Sequence, residues 1–217
     1  MPQAQTTQYV AGLWHSTLLL DLMWHVMPYM VLAGQDRQAL SYDDDNGGPP
    51  TWSWASMNWG VVWSQFPRTQ LIAELLDVQV AGSHLDPYGK VSGGLLTLHG
   101  RLKRCELRSN GALTHDAFYT QADGTKSELQ HYRTDGPLSL NHEAGPYGAR
   151  VRRGRQGPYS SNLETTAVVF FITSNTLLVN VLGTSPRSPG CLERVGLIWR
   201  LPAHWYDTAE EGTVQIV

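Results

Sequence analysis

The chain has 217 residues, of which 41% are hydrophobic and 16% charged, with a formal net charge of −3. That length suits one domain, residues 1–217, with a core of good size. The weak negative charge excludes a global field that would recruit nucleic acid or an anionic membrane. Cys105 and Cys191 are the only cysteines and stand in no metal or redox spacing, so two free thiols in a reducing compartment are expected. Residues 1–9 carry no basic and apolar leader, and the run Leu18-Leu19-Leu20 meets Asp21 too soon to span a bilayer. A soluble, cytoplasmic protein is the expectation.

Residues 7–27 carry apolar side chains at roughly helical spacing (Val10, Leu13, Trp14, Leu18, Trp24) and end at Pro28, which predicts a helix. Residues 34–50 turn polar, with Asp43-Asp44-Asp45 ahead of Asn46-Gly47-Gly48-Pro49-Pro50, and are expected to form a flexible loop. From residue 51 the pattern becomes β. Residues 52–56 and 60–63 are short strand candidates, and 70–80 fits either a strand or a helical turn. Residues 95–102 alternate, with Leu96, Leu98 and Leu102 on one face and Thr97, His99 and Arg101 on the other. Residues 103–165 are polar and rich in Gly and Pro, with a hairpin expected near 128–133. Further strands are expected at 167–173, 176–182, 194–201 and 212–217, with a Pro-rich loop at 183–190. The expected fold is mainly β (α+β): an antiparallel β-barrel or sandwich with an N-terminal helix packed on it.

Four segments, taken in order, resemble one known family. Tyr9-Val10-Ala11-Gly12-Leu13-Trp14 with Leu22-Met23-Trp24 resembles a "YLAGLW…LLW" element. Pro50-Thr51-Trp52-Ser53-Trp54-Ala55-Ser56 resembles "APSWSWAS". The stretch from Asp86 to Leu102 resembles "GxVxGGxLxLxGRL", and Glu193-Arg194-Val195-Gly196-Leu197 resembles "YeRVGlf". This order is similar to that of the C-terminal region of fungal heterokaryon-incompatibility (HET-domain) proteins. The N-terminal domain of that family carries a "YxALSYxWG" signature. Here only Ala39-Leu40-Ser41-Tyr42 echoes it, followed by Asp43-Asp44 in place of Trp-Gly. The resemblance therefore implies the tail module without its effector domain.

The chemistry-bearing residues exclude more than they include. There is no Gly-x-Ser-x-Gly, no phosphate loop, and no His-x-His or His-x-x-x-His pair among the eight histidines, so no metal site or cofactor is expected. Arg150, Arg152, Arg153 and Arg155 form a basic loop expected to be solvated. The tryptophans remain, and two readings of them stay open. Trp14, Trp24, Trp52, Trp54, Trp63 and Trp199 either pack as core or wall a pocket, together with Phe170 and Arg194.

The pocket reading leads to a cofactor-independent intramolecular cyclisation, of the pericyclase or Diels-Alderase kind. Its substrate would be an apolar terpenoid or polyketide intermediate of natural-product biosynthesis. His99, Arg101 and Tyr132 would act as hydrogen-bond donors to a carbonyl gaining negative charge. The core reading leads to a non-enzymatic interaction or regulatory module related to heterokaryon-incompatibility proteins. Its contact surfaces would be the arginine loop and the acidic run at 43–45.

Overall fold

The computed structural model describes residues 8–26, 48–57, 60–63, 70–82, 89, 91–109, 115–120, 125–129, 132–134, 138–140, 149–151, 164–173, 179–185, 188–198, 201 and 203–217. Among these the fold is mostly β. Its strands in chain order are β1 (Tyr9–Val10), β2 (Leu13–Trp14), β3 (Trp24–Val26), β4 (Val61–Trp63), β5 (Glu74–Gly82), β6 (Val91–Ser109), β7 (His115–Thr120), β8 (Lys126–Leu129), β9 (Tyr132–Thr134), β10 (Leu138–Leu140), β11 (Ala149–Val151), β12 (Glu164–Phe171), β13 (Val179–Thr184), β14 (Leu192–Ile198) and β15 (Glu210–Ile216). Two short helices are described, α1 (Leu18–Asp21) and α2 (Ala203–Asp207).

Strand β6 organises the sheet. The alternating stretch at 95–102 is its middle, and it runs well past both ends of that prediction. Residues Leu96 to His99 pair with β5 on one edge and β15 on the other, so those two strands flank β6. Leu102 pairs with both Phe170 and Glu210, which puts β12 on the β5 edge, farther along the strand. Glu106 pairs with both Thr166 and Phe118, which puts β7 on the β15 edge. From β12 the antiparallel pairings continue to β13 and then β14.

The step from β14 to β15 is a single parallel pair, Leu192 with Ile216. The sheet is therefore curled, with its two ends stitched rather than laddered; of the expected antiparallel barrel or sandwich, no closed barrel forms among the described residues. Thr51 makes the stitch. Its N–H donates to Val217 O at 3.0 Å, its hydroxyl donates to the same carbonyl, and its Oγ1 accepts from Arg194 N at 2.9 Å. Val217 N in turn donates to Leu192 O at 2.9 Å.

The helix expected over 7–27 is absent from residues 8–26. Ala11 (φ 49°) and Gly12 (φ 92°) both lie in the left-handed region, the sign pattern of a type I′ turn, and they join β1 to β2 as a hairpin. A side chain at Gly12 would be strained and would also place its Cβ 2.8 Å from Trp54 Nε1. A 3₁₀ turn at His15–Thr17, the single turn of α1, and β3 follow. The apolar periodicity is real but comes from a chain that folds back on itself with Val10, Leu13, Leu18 and Leu22 all facing inward.

Two further expectations are corrected. Residues 52–56 are not a strand but a turn leading into a 3₁₀ helix, Trp54–Ser56, capped by Ser53, whose Oγ accepts from Ala55 N at 3.1 Å and donates to Ala11 O. Near 128–133 the two strands do not pair with each other: β8 pairs with β7 and β9 with β14. The ambiguous 70–80 stretch resolves as β5. The loop expected at 34–50 lies outside the described residues except for 48–50.

The core lies on the Leu96/Leu98 face of β6. Leu96, Leu98, Phe170, Ile172, Leu182, Leu192, Val214 and Ile216 line the curled sheet, and Val10, Ala11, Leu13, Leu18, Leu22 and Trp52 pack onto them. One charged side chain crosses the boundary between sheet and N-terminal segment. Arg194 is buried; its Nη1 donates to Leu22 O at 3.0 Å and its Nη2 to Trp24 O at 2.5 Å, and its guanidinium lies 3.5 Å from the centroid of the Trp24 ring. The register slips by one residue between Val181 and Leu182 where β13 meets β14, and such a bulge re-aims neighbouring side chains. Replacing Arg194 by Leu strands two buried carbonyls, and we expect a loss on the order of 2–6 kcal/mol. Arg194→Lys recovers only part of it, because one ammonium cannot reproduce the planar fork and the stacking. Urea unfolding monitored by circular dichroism measures both.

Candidate functional site

The structure divides the tryptophans into two sets. Trp24 and Trp52 have 0% of their surface accessible, and Trp205 has 1%. A side chain with no accessible surface borders no space that admits a water molecule, so Trp24 and Trp52 wall no guest-sized hollow; they are core. Trp24 Nε1 donates to Trp52 O at 3.0 Å. Trp52 Nε1 makes no hydrogen bond among the described residues. Phe170 is equally sealed: its ring lies 3.0 Å from the position that a Cβ on Gly100 would take.

Trp14, Trp54 and Trp63 are the second set, 43%, 36% and 42% exposed. All three attach to one stretch of chain. The Trp54 indole donates to Gly12 O at 2.7 Å, and the Trp63 indole donates to Asp21 O at 3.1 Å. Trp14 N donates to Asp21 Oδ2 at 3.3 Å, and its ring meets Tyr9 edge-on at 5.3 Å and 73°. Thr17 Oγ1 donates to Asp21 Oδ2 at 2.7 Å and so fixes the carboxylate beside the Trp14 backbone. Leu20, also exposed, lies on the turn of α1 between these anchors. The result is a set of exposed aromatic rings, two of them, Trp54 and Trp63, pinned by their indole N–H groups.

Two of the three expected donors, His99 and Arg101, do not lie on the side of β6 that packs Trp52. His99 and Arg101 lie on the face of β6 opposite Leu96, Leu98 and the core. His99 Nδ1 is hydrogen-bonded to Thr213 Oγ1 at 3.2 Å, with Glu74 and Thr213 as its cross-strand neighbours. Arg101 Nη1 donates to Tyr206 O at 3.1 Å, and its guanidinium lies 4.4 Å from the Tyr206 ring centroid. Lys103, next on the same face, donates to Thr208 Oγ1 and lies 5.1 Å from the Trp205 ring. Burial holds its ammonium below the ordinary lysine range. This face is therefore where α2 docks on β6. Tyr132 is placed by its backbone, opposite Ile198 on β9, which pairs with β14 and not with β6. Trp199, the acidic run at 43–45, and Arg152, Arg153 and Arg155 lie outside the described residues; Arg150 pairs with Ser139 in the β10–β11 ladder.

Sequence reasoning missed Trp205, Thr51 and Asp21. Trp205 sits on α2, and the signal was Pro202 followed by a short helix-compatible run. Nothing local marks Thr51 or Asp21, because their partners are distant in the chain or lie on its backbone. Among the described residues no group of three His, Cys, Asp or Glu side chains is placed to hold a metal ion, and no helix is long and apolar enough to cross a membrane. No protein-family model matches the chain, and neither a curated protein nor a solved structure does.

The two indole sets respond differently to truncation. Trp52→Ala opens a cavity in the core and is expected to cost about 3–5 kcal/mol, whereas Trp54→Ala is expected to cost about 1–2 kcal/mol. Trp52→Phe falls well below Trp52→Ala, since the indole N–H it removes bonds nothing described. Denaturant unfolding of the three variants gives the order.

Cys105 offers a second check. Burial first, and then the neighbouring Glu106 carboxylate, push its thiol up to about 12. The unfolded thiol ionises near its ordinary 9.0 while the folded one keeps its proton, so Cys105 makes stability fall as pH rises between about 9 and 12. At pH 8 the folded protein should leave Cys105 unalkylated by iodoacetamide, and denaturant should expose it; peptide mass mapping reads the site.

Proposed function

We propose that this chain is a partner-binding module that presents Trp14, Trp54 and Trp63 to another protein, related to the C-terminal region of fungal heterokaryon-incompatibility proteins. The single observation behind this reading is the split of the tryptophans. The buried indoles are packed against other side chains and not around a space, while three others stand about two-fifths exposed, two of them with their indole N–H bonded to backbone. Tryptophan is among the residues that most often dominate binding energy at protein interfaces, and rigid anchors lose little entropy on association. Leaving three such side chains in water, Trp14 on one short stretch of chain and Trp54 and Trp63 bonded to its backbone, is a cost that a binding role explains. A cyclisation reading needs its donors and its indoles on one side of β6, and His99 and Arg101 stand on the other side from Trp52.

The test is peptide display. Sequences enriched from a random library on the wild-type protein are measured against Trp14→Ala, Trp54→Ala and Trp63→Ala singly, with circular dichroism confirming that each variant is folded. We expect affinity to fall about tenfold or more in at least two of the three. Failure of any sequence to enrich, or affinity unchanged in all three variants, overturns the proposal.

A further inference from the structure

The chemistry of the exposed indoles narrows what can dock on them. Tryptophan has one hydrogen-bond donor and no acceptor. In Trp54 and Trp63 that donor is already given to Gly12 O and Asp21 O. A neutral polar partner therefore gains no hydrogen bond from either indole. What these two indoles still offer is ring surface, whose negative face attracts cations. Asp21 bonds two of the three residues: its carbonyl holds the Trp63 indole, and its carboxylate accepts from the Trp14 backbone N. The surrounding sequence has the same sign. Residues 1–67 hold five aspartates and one arginine, a net of −4, which leaves +1 for residues 68–217 within the total of −3. Among the described residues of 1–67, Asp21 is the one Asp, Glu, Lys or Arg side chain, and it lies in the stretch to which the rings attach. The protein also uses cation-on-ring contacts internally, in Arg194 on Trp24, Arg101 on Tyr206 and Lys103 on Trp205.

We infer that the partner is a basic protein segment whose arginine or lysine side chains stack on Trp14, Trp54 and Trp63, drawn in by the Asp21 carboxylate. The inference rests on the partner-binding reading and adds the partner's charge. Guanidinium is favoured over ammonium, because it is planar and less strongly hydrated. Electrostatic attraction across such a surface weakens with salt.

The test uses a synthetic Arg-Gly repeat peptide and a twin in which every arginine is citrulline, which keeps the shape and removes the charge. Tryptophan emission and isothermal calorimetry follow binding to the whole chain. We expect the arginine peptide to bind about tenfold or more tightly than the citrulline twin. Its affinity should fall with added salt, and should fall again in Asp21→Asn and in Trp14→Leu/Trp54→Leu/Trp63→Leu. The leucine variant keeps apolar volume and loses the ring faces, and circular dichroism establishes that it folds. Equal affinity for the two peptides, no binding of the arginine peptide, or binding undiminished in the leucine variant overturns the inference. The two proposals fail separately. If the display library yields indole-dependent sequences without arginine or lysine, partner binding stands and the cationic partner is lost. If it yields no indole-dependent sequence at all, both are lost.

Discussion

A buried guanidinium holds this molecule together. Removing an arginine from water costs several kcal/mol, and the site must return that in contacts. Arg194 does so with two donated hydrogen bonds and a stacked ring, all on the segment Leu22–Trp24, while its own backbone N–H is held by Thr51. One residue thus joins three pieces of chain that are far apart in sequence: β14, the N-terminal segment and the turn before Trp52. The positions of Trp24, then of Trp52 through the Trp24 indole, and then of Ser53 and Trp54 follow from that joint. The exposed rings and the core are two ends of one network.

The curled sheet is shaped by the same economy of contacts. Its antiparallel ladders are long where β6 runs, and its ends meet through one parallel pair and the Thr51 stitch. The N-terminal segment packs on the Leu96/Leu98 face of this sheet. A mostly β chain with strong aromatic content can enclose a guest or a piece of itself. In this chain Val10, Leu13, Leu18, Leu22 and Trp52 pack on the core face of the sheet.

Much of the sheet was legible in the sequence, and the reasons are local. Period-two alternation at Leu96, Leu98 and Leu102 against Thr97, His99 and Arg101 is a property of one strand, and burial follows it at Leu96 and Leu98. The strands expected at 167–173, 194–201 and 212–217 announce themselves by β-branched and apolar runs, and they form at Glu164–Phe171, Leu192–Ile198 and Glu210–Ile216. The N-terminal segment misled because a type I′ hairpin, a 3₁₀ turn and a single helical turn bury the same residues that one helix face would. Telling them apart needs the φ of Ala11 and Gly12, which no periodicity encodes. The fate of Trp52 and Trp54 was illegible for a similar reason. Two residues apart they would share a side in a strand, but the Ser53 cap bends the chain and sends one inward and one outward. The proposed donors at His99 and Arg101 were correctly assigned to one face. Their partners Thr213 and Tyr206 come from the far end of the chain, and only the tertiary structure shows that a helix occupies that face.

The separation of Trp24, Trp52 and Trp205 from Trp14, Trp54 and Trp63 also equips the molecule with two optical channels. Sealed indoles emit toward the blue and are shielded from acrylamide, while wetted ones emit toward the red and are quenched by it. Loosening of the interior and events at the surface would then register at different wavelengths in the same unlabelled sample.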